Sequence, residues 1–181
     1  MYRDSHHSLS SLSNFLANFP NDFIKHHLPM RTRSDLLWWQ SLLARPNISH
    51  SLLPLPTLDP DIWVDMSTDW GIGLVVGQLG ASWRLSPSWS SHDCNIGWLE
   101  SVALEIAIYW LCVNDFHDTD VIIHSDNSSV IGAFWKGRSR NASCNDCIAC
   151  VTVALSASNL SLSLIYVPSG ANCADAVSWG H

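Results

Sequence analysis

Residues 61–86 read DIWVDMSTDWGIGLVVGQLGASWRLS and contain three short apolar segments, at 61–67, 70–77 and 80–86. Short apolar runs bounded by glycine and polar turn residues predict β-strands. Only a turn at Gln78-Leu79-Gly80 separates the second and third segments, which indicates an antiparallel hairpin. The regular part of the chain therefore begins with antiparallel strands. The first of these strands ends where the carboxylate residues begin.

Helical and strand patterns alternate after these strands. Residues 96–113 carry apolar side chains at helical spacing, at Leu99, Val102, Ala103, Ile106 and Trp110. The remaining predicted elements are a strand at 121–126, helices at 127–137 and 139–157, a strand at 160–168 and a short helix within 171–180. This order predicts an α/β fold with a five-stranded mixed sheet, in which three antiparallel strands precede parallel crossovers and helices cover both faces.

The N-terminal third differs in composition. Residues 1–33 are rich in Ser, His and Asn without a clear period, which predicts a poorly structured segment. Ser34 is the predicted N-cap of a helix, and the four prolines within 46–60 predict a linker. The predicted organisation is therefore an N-terminal segment at 1–33, a helix and linker at 34–57, and a domain at 58–181.

Composition and charge exclude several classes of protein. With 181 residues, 47% hydrophobic and 14% charged, the chain can bury a core. It has neither a signal pattern nor an apolar run of ~18 residues, which predicts an intracellular protein of the cytoplasm or nucleus that does not cross a membrane. Residues 57–181 contain four Lys/Arg and thirteen Asp/Glu, a net charge of −9. This balance argues against non-specific nucleic-acid binding by charge alone.

Four acids fall at strand ends and helix starts of the predicted domain. Asp65 ends the first strand, Glu100 lies in the first turns of the long helix, Asp126 ends the fourth strand, and Asp175 lies in the last helix. Because strand ends converge on one edge of an α/β sheet, these acids could share a site. An oxygen-only ligand set favours Mg²⁺ or Mn²⁺, and two such ions can drive attack on a phosphodiester. Caps and Asx-turns are the alternative for each acid taken singly.

The segments around these acids resemble the four motifs of type 1 ribonuclease H, most closely the version in gypsy-like and DIRS-like retrotransposon reverse transcriptases. They are DIWVDMSTDWGIG at 61–73, WLESVALEIA at 98–107, HSDNSSVIG at 124–132 and YVPSGANCADAVS at 166–178. The resemblance covers about residues 58–180. It implies a ribonuclease H-like fold that cleaves the RNA strand of RNA–DNA hybrids, with Asp65, Glu100, Asp126 and Asp175 as catalytic ligands of two Mg²⁺ ions, or Mn²⁺.

The upstream stretch SDLLWWQSLL, residues 34–43, is similar to the segment that joins polymerase to ribonuclease H in such elements. The chain contains no polymerase motif. The resemblance therefore implies the C-terminal fragment of a polyprotein, whose partner is a reverse transcriptase polymerase domain in cis or in trans.

Two points of the resemblance leave alternatives open. Glu105 is the alternative helix ligand; it lies ~140° around the helix from Glu100, so both cannot point into one site. The loop before Asp175 has Asn172 and no histidine, where many family members carry a catalytic histidine. The alternative function is an inactive or co-opted retroelement remnant that binds nucleic acid or protein. An integrase or a proofreading exonuclease fits the acids less well.

Further residues are candidates for contact with nucleic acid. Lys136, Arg138 and Arg140 form the only cationic cluster of the acidic domain, and they equally suit a solvated helix end. The other candidates are Ser67, Ser128 and Asn172. A zinc site at the CNDCIAC stretch, residues 144–150, is disfavoured because this spacing on a helix makes a poor chelate.

Overall fold

The structure, a computed structural model, describes residues 7–19, 25–44, 54–89 and 95–181. The chain divides into two compact units, Met1–Pro54 and Leu55–His181. The N-terminal unit contains two helices that pack on each other, α1 (His7–Leu16) and α2 (Met30–Leu43). The Ser11 hydroxyl donates a hydrogen bond to the Asp35 carboxylate and so joins the two helices.

This unit differs from the prediction. Helix α1 lies inside the segment at 1–33 that was predicted to be poorly structured. Ser34 does not cap α2, which begins at Met30; its hydroxyl instead donates to the Met30 carbonyl at 3.0 Å, four residues earlier in the helix. Of the predicted linker at 46–60, residues 46–53 lie outside the described residues, and residues 57–60 belong to a strand.

The C-terminal unit has the predicted order of elements and confirms the α/β fold. Its strands are β1 (Thr57–Met66), β2 (Gly71–Val76), β3 (Leu79–Arg84), β4 (Asp120–Ser125) and β5 (Ser161–Tyr166). Its helices are α3 (Ile96–Val113), α4 (Ser128–Lys136), α5 (Ala142–Ala157) and α6 (Asp175–Ser178).

The five strands form one mixed sheet in the order β3-β2-β1-β4-β5. Strands β1, β2 and β3 pair antiparallel, whereas β1–β4 and β4–β5 pair parallel. This arrangement is consistent with a ribonuclease H-like fold. Strand β1 lies at the centre of the sheet, so both of its edges are paired.

The start of β1 and the β2–β3 turn are displaced from the prediction. Strand β1 begins at Thr57 rather than at Asp61, because an irregularity between Leu58 and Ile62 lets it continue past Asp61, whose φ is 58°. The β2–β3 turn consists of Gly77 and Gln78, one residue earlier than expected. Glycine suits this turn because Gly77 has a φ of 57°.

Alternating residues of β1 face two different layers of helices. Ile62 and Val64 are buried in the apolar core together with α3. Asp65 faces the other side: it pairs with Gly73, a buried glycine whose α-carbon lies against α6. Helices therefore cover both faces of the sheet, as predicted.

Helix α3 has the predicted bounds, but its buried surface is wider than the predicted stripe. Val102, Ile106 and Trp110 are only half-buried, whereas Leu104, Ala107, Ile108 and Leu111 are almost completely buried. The reason is that α3 packs against both the sheet and α5. No helix that could cross a membrane was expected from the sequence. By length and composition, α3 could do so. The core helix of a globular domain passes the same test.

Candidate metal centre

Asp65 is held by the central strand of the sheet. It is the penultimate residue of β1, pairs with Gly73 on β2, follows Val64, which pairs with Ser125 on β4, and is 5% exposed. A carboxylate on a strand paired along both edges has little freedom of movement at its backbone. The fold therefore fixes the position of Asp65 through the sheet itself.

Asp126 follows β4 directly, beside Asp65. Val64 and Ser125 are register partners in the parallel β1–β4 pair, so the next residues of the two strands emerge side by side. Asn127 then caps α4: its side-chain oxygen accepts hydrogen bonds from the backbone N–H groups of Ser129 and Val130 at 3.1 and 3.0 Å. The cap fixes the turn that carries Asp126.

Glu100 supplies the third carboxylate from α3. It is the fifth residue of the helix and is 7% exposed. The alternative ligand, Glu105, lies on the side of α3 that faces α5, where its charge and hydrogen bonding help burial to raise the pKa of Cys147. Of the two glutamates, the structure brings only Glu100 to the two aspartates.

The three carboxylates form a compact cluster. One oxygen atom each from Asp65, Glu100 and Asp126 can be chosen so that all three lie within 4.8 Å of one another. Oxygen atoms at this separation could bind a single divalent cation, and an all-carboxylate set suits a hard ion. Among the described residues, no other group of three acids, histidines or cysteines has this geometry.

The electrostatics of the cluster also favour a cation. Burial raises the pKa of Asp65 to about 6; a hydrogen bond from Ser178 lowers this pKa, and the charges of Asp126 and Asp175 raise it. Burial likewise raises the pKa of Glu100 to about 7, against a hydrogen bond from the Asn127 side chain that lowers it. In the part of the chain that the structure describes, no lysine or arginine contributes to either shift. Buried acids without a cationic partner are costly to ionise, and a bound metal ion would remove that cost.

Asp175 stands apart from the other three predicted ligands. It is the first residue of α6, its side chain is exposed, and it lies outside the compact group. It is close enough for its charge to raise the pKa of Asp65. The structure thus brings three of the four predicted acids together and places the fourth at the rim.

The residues predicted to contact nucleic acid fall into two sets. Ser128, Lys136, Arg138 and Arg140 are exposed at the two ends of α4 and in the loop after it. Ser67 and Asn172 are buried, and their polar atoms bond within the protein. The Ser67 hydroxyl accepts from the backbone of Asp69 at 3.3 Å.

Asn172 links the last loop to β1. Its amide group donates to the Val64 carbonyl at 3.0 Å, and its side-chain oxygen accepts from the Ala174 backbone at 3.1 Å. A side chain with both polar ends bonded in this way holds the loop in place. The contacts therefore indicate that Asn172 positions the chain before Asp175 and does not face a ligand.

Sequence reasoning missed two residues of the centre. The Asn127 side chain lowers the pKa of Glu100 by hydrogen bonding, and a signal was present, because asparagine at the start of a predicted helix is a typical N-cap. Ser178 donates to Asp65 at 2.6 Å across 113 residues of sequence. A serine in a four-residue helix carries no signal of its own, since only the tertiary fold brings it to β1.

The cysteines of the CNDCIAC stretch lie on α5. Cys144 and Cys147 are buried on α5 and Cys150 is exposed, and they are not part of any candidate metal group in the described chain. Burial raises the pKa of Cys147 and of Cys150, so both thiols favour the protonated form. The sequence had disfavoured zinc here on the grounds of spacing.

The sequence matches no protein-family model, and no curated protein is significantly similar to it. The functional interpretation therefore rests on the geometry of the carboxylates and on the motifs that surround them.

Proposed function

We propose that the C-terminal unit is a metal-dependent nuclease that hydrolyses the RNA strand of RNA–DNA hybrids. The observation that carries the proposal is the clustering of Asp65, Glu100 and Asp126 oxygens within 4.8 Å. The cluster lies at the carboxyl ends of β1 and β4, two neighbouring strands of the five-stranded mixed sheet. The resemblance of the surrounding motifs to type 1 ribonuclease H supplies the substrate class and the retroelement context. A reverse transcriptase polymerase domain, in cis or in trans, is the corresponding partner.

The residues of the cluster fit Mg²⁺, with Mn²⁺ as a substitute. Asp65, Glu100 and Asp126 would hold one ion, and Asp175 would help to hold a second from the rim. When bound, such ions activate water for in-line attack and stabilise the leaving oxygen. The contribution of the protein is to keep the carboxylates rigid and partly shielded from solvent, which β1, β4 and α3 accomplish.

The exposed residues of α4 and of the loop after it are the proposed contacts to the nucleic-acid backbone. Lys136, Arg138 and Arg140 bring three of the four positive charges of residues 57–181 to this region, and Ser128 lies at the other end of the helix. Such contacts position a duplex without reading its sequence. RNA would be distinguished from DNA by its 2′-hydroxyls and by the shape of the hybrid.

The test is a cleavage assay on a labelled RNA–DNA hybrid with Mg²⁺ and the purified full chain. We expect products with 5′-phosphate and 3′-hydroxyl ends from the wild type, and a loss of at least about 100-fold in rate for Asp126→Asn. Asp115→Asn is the matched control, because Asp115 is exposed in the loop after α3 and asparagine tolerates its φ of 62°. A folded wild type that does not cleave would refute the proposal.

A second candidate is a module that binds hybrids without cleaving them. It is favoured by the loop before Asp175, which has no histidine and whose Asn172 is fully engaged in internal hydrogen bonds. Mg²⁺-dependent binding of the hybrid with intact RNA after long incubation would support this candidate over the first.

A further inference from the structure

The geometry points to Ser178 as a positioning residue of the metal centre, which holds the Asp65 carboxylate in the orientation that a divalent cation requires. The inference rests on the proposed function, because it concerns the same three carboxylates. It adds to that function a role for α6 beyond carrying Asp175.

The Ser178 hydroxyl makes a short contact in a fully buried place. Its Oγ lies 2.6 Å from Oδ2 of Asp65, and the residue is 0% exposed. The same Oγ lies 2.8 Å from the backbone oxygen of Asp175. A hydroxyl has a single proton to donate, and an ionised carboxylate is a stronger acceptor than a backbone carbonyl. We therefore assign the proton of Ser178 to Asp65.

A glycine on β2 leaves the space that α6 needs to approach Asp65. Asp65 pairs with Gly73 on β2, and a β-carbon at Gly73 would lie 2.6 Å from the Ser178 nitrogen and 2.7 Å from the Ala174 oxygen. Any side chain at Gly73 would therefore push the backbone of α6 away from Asp65. A glycine is needed here for space.

A second contact fixes the other end of the same segment. The Asn172 amide donates to the carbonyl of Val64, the residue before Asp65, and Asn172 also bonds to Ala174. Helix α6 has only four residues and cannot be stable by itself. It is thus held by bonds to β1 at Val64 and Asp65, and one of these bonds ends on the carboxylate of a candidate metal ligand.

The affinity for a metal ion should therefore depend on Ser178, although Ser178 would not itself bind the ion. A hydrogen bond to one carboxylate oxygen limits the rotation of the group and leaves it oriented before the cation arrives. Loss of such an outer contact typically lowers metal affinity by 10- to 100-fold. In Ser178→Ala the buried Oδ2 of Asp65 would also lose its donor.

The experiment measures Mn²⁺ binding to the full chain by electron paramagnetic resonance, at a temperature where near-UV circular dichroism shows each variant folded. We expect Ser178→Ala to bind Mn²⁺ about tenfold more weakly than the wild type. Ser101→Ala is the matched control, because Ser101 is also 0% exposed and its hydroxyl donates only to the Gly97 carbonyl of its own helix, at 2.8 Å. Ser178→Thr, which keeps the hydroxyl, should bind nearly as well as the wild type.

Each outcome has a distinct meaning. Equal affinities for Ser178→Ala and the wild type would overturn the positioning role while leaving the metal centre intact. A folded Ser178→Thr that binds as weakly as Ser178→Ala would also overturn it, since the hydroxyl would not be the cause. A wild type that binds no Mn²⁺ would overturn the proposed function itself.

Discussion

Asp65 and Glu100 are two acids that the fold buries next to a third, and their raised pKa values are the chemical signature of the centre. Burial is the largest cause in both cases, and neighbouring carboxylates add to it. In the unfolded chain both groups ionise near pH 4, whereas in the folded protein they remain partly protonated up to pH 6–7. Their ionisation therefore costs stability as the pH rises through this window.

The substitution Glu100→Gln tests how much stability the ionisation of one buried acid costs. A glutamine resembles the protonated glutamate and can still accept the hydrogen bond from Asn127. At pH 5, below the raised pKa of about 7, the variant and the wild type should be similarly stable without metal. At pH 8 the wild type carries a buried charge, and the variant should be more stable by on the order of 2 kcal/mol.

The measurement is urea unfolding of both proteins at the two pH values, in the presence of a chelator. Mg²⁺ should then reduce the advantage of the variant at pH 8, because the ion stabilises the ionised cluster of the wild type. A stability difference that does not change between pH 5 and pH 8 would contradict the assignment of Glu100 as a buried, uncompensated acid.

Among the described α-helices, α6 has the fewest residues, and its position depends on its contacts with the sheet. Its close approach to β1 requires the missing side chain of Gly73. Gly73→Ala should displace α6 and destabilise the C-terminal unit by ~1–3 kcal/mol, as overpacking of a rigid site does. Urea denaturation at pH 7 measures this effect.

Gly132→Ala is the control for that substitution. Gly132 lies within α4, and a β-carbon there would meet nothing within 4 Å. Alanine is the better helix former, so this variant should be more stable by ~0.5–1 kcal/mol. A Gly73→Ala protein as stable as the wild type would show that α6 tolerates displacement, which is contrary to the packing described above.

The sequence predicts an element well when the pattern that defines it lies within the element itself, and poorly when contacts with distant elements define it. The bounds of α3, the strand before Asp126 and the order of all elements from β1 onward follow from periodicity and turn residues, and the structure confirms them. The register slip before Ile62 and the wider buried face of α3 come from neighbouring strands and helices, which leave no local pattern.

The same division holds for the site. Asp65, Glu100 and Asp126 could be predicted because acids at strand ends and helix starts stand out against apolar runs, and the structure brings these three together. The internal roles of Ser67, Asn172 and Ser178 could not be predicted, because each depends on partners across a turn or across the sheet. The N-terminal helix α1 was missed because the Ser-rich composition of the segment outweighed the helical spacing of Leu9, Leu12 and Leu16.

For the molecule as a whole, the negative net charge makes bound metal ions important for nucleic-acid binding as well as for catalysis. Residues 57–181 carry a net charge of −9, and two bound divalent cations would reduce it to −5. An acidic unit of this kind repels a polyphosphate, so nucleic-acid binding should itself depend on the cations and on the Lys136–Arg140 region.

Crystals of the protein grown with Mn²⁺ would reveal the ion by its anomalous scattering. We expect at least one peak bound by carboxylate oxygens of Asp65, Glu100 and Asp126, at distances of about 2.1 Å. The same peak should be absent from crystals of Asp126→Asn. A map with no peak at these three carboxylates, at millimolar Mn²⁺, would contradict the assignment of a metal centre to this protein.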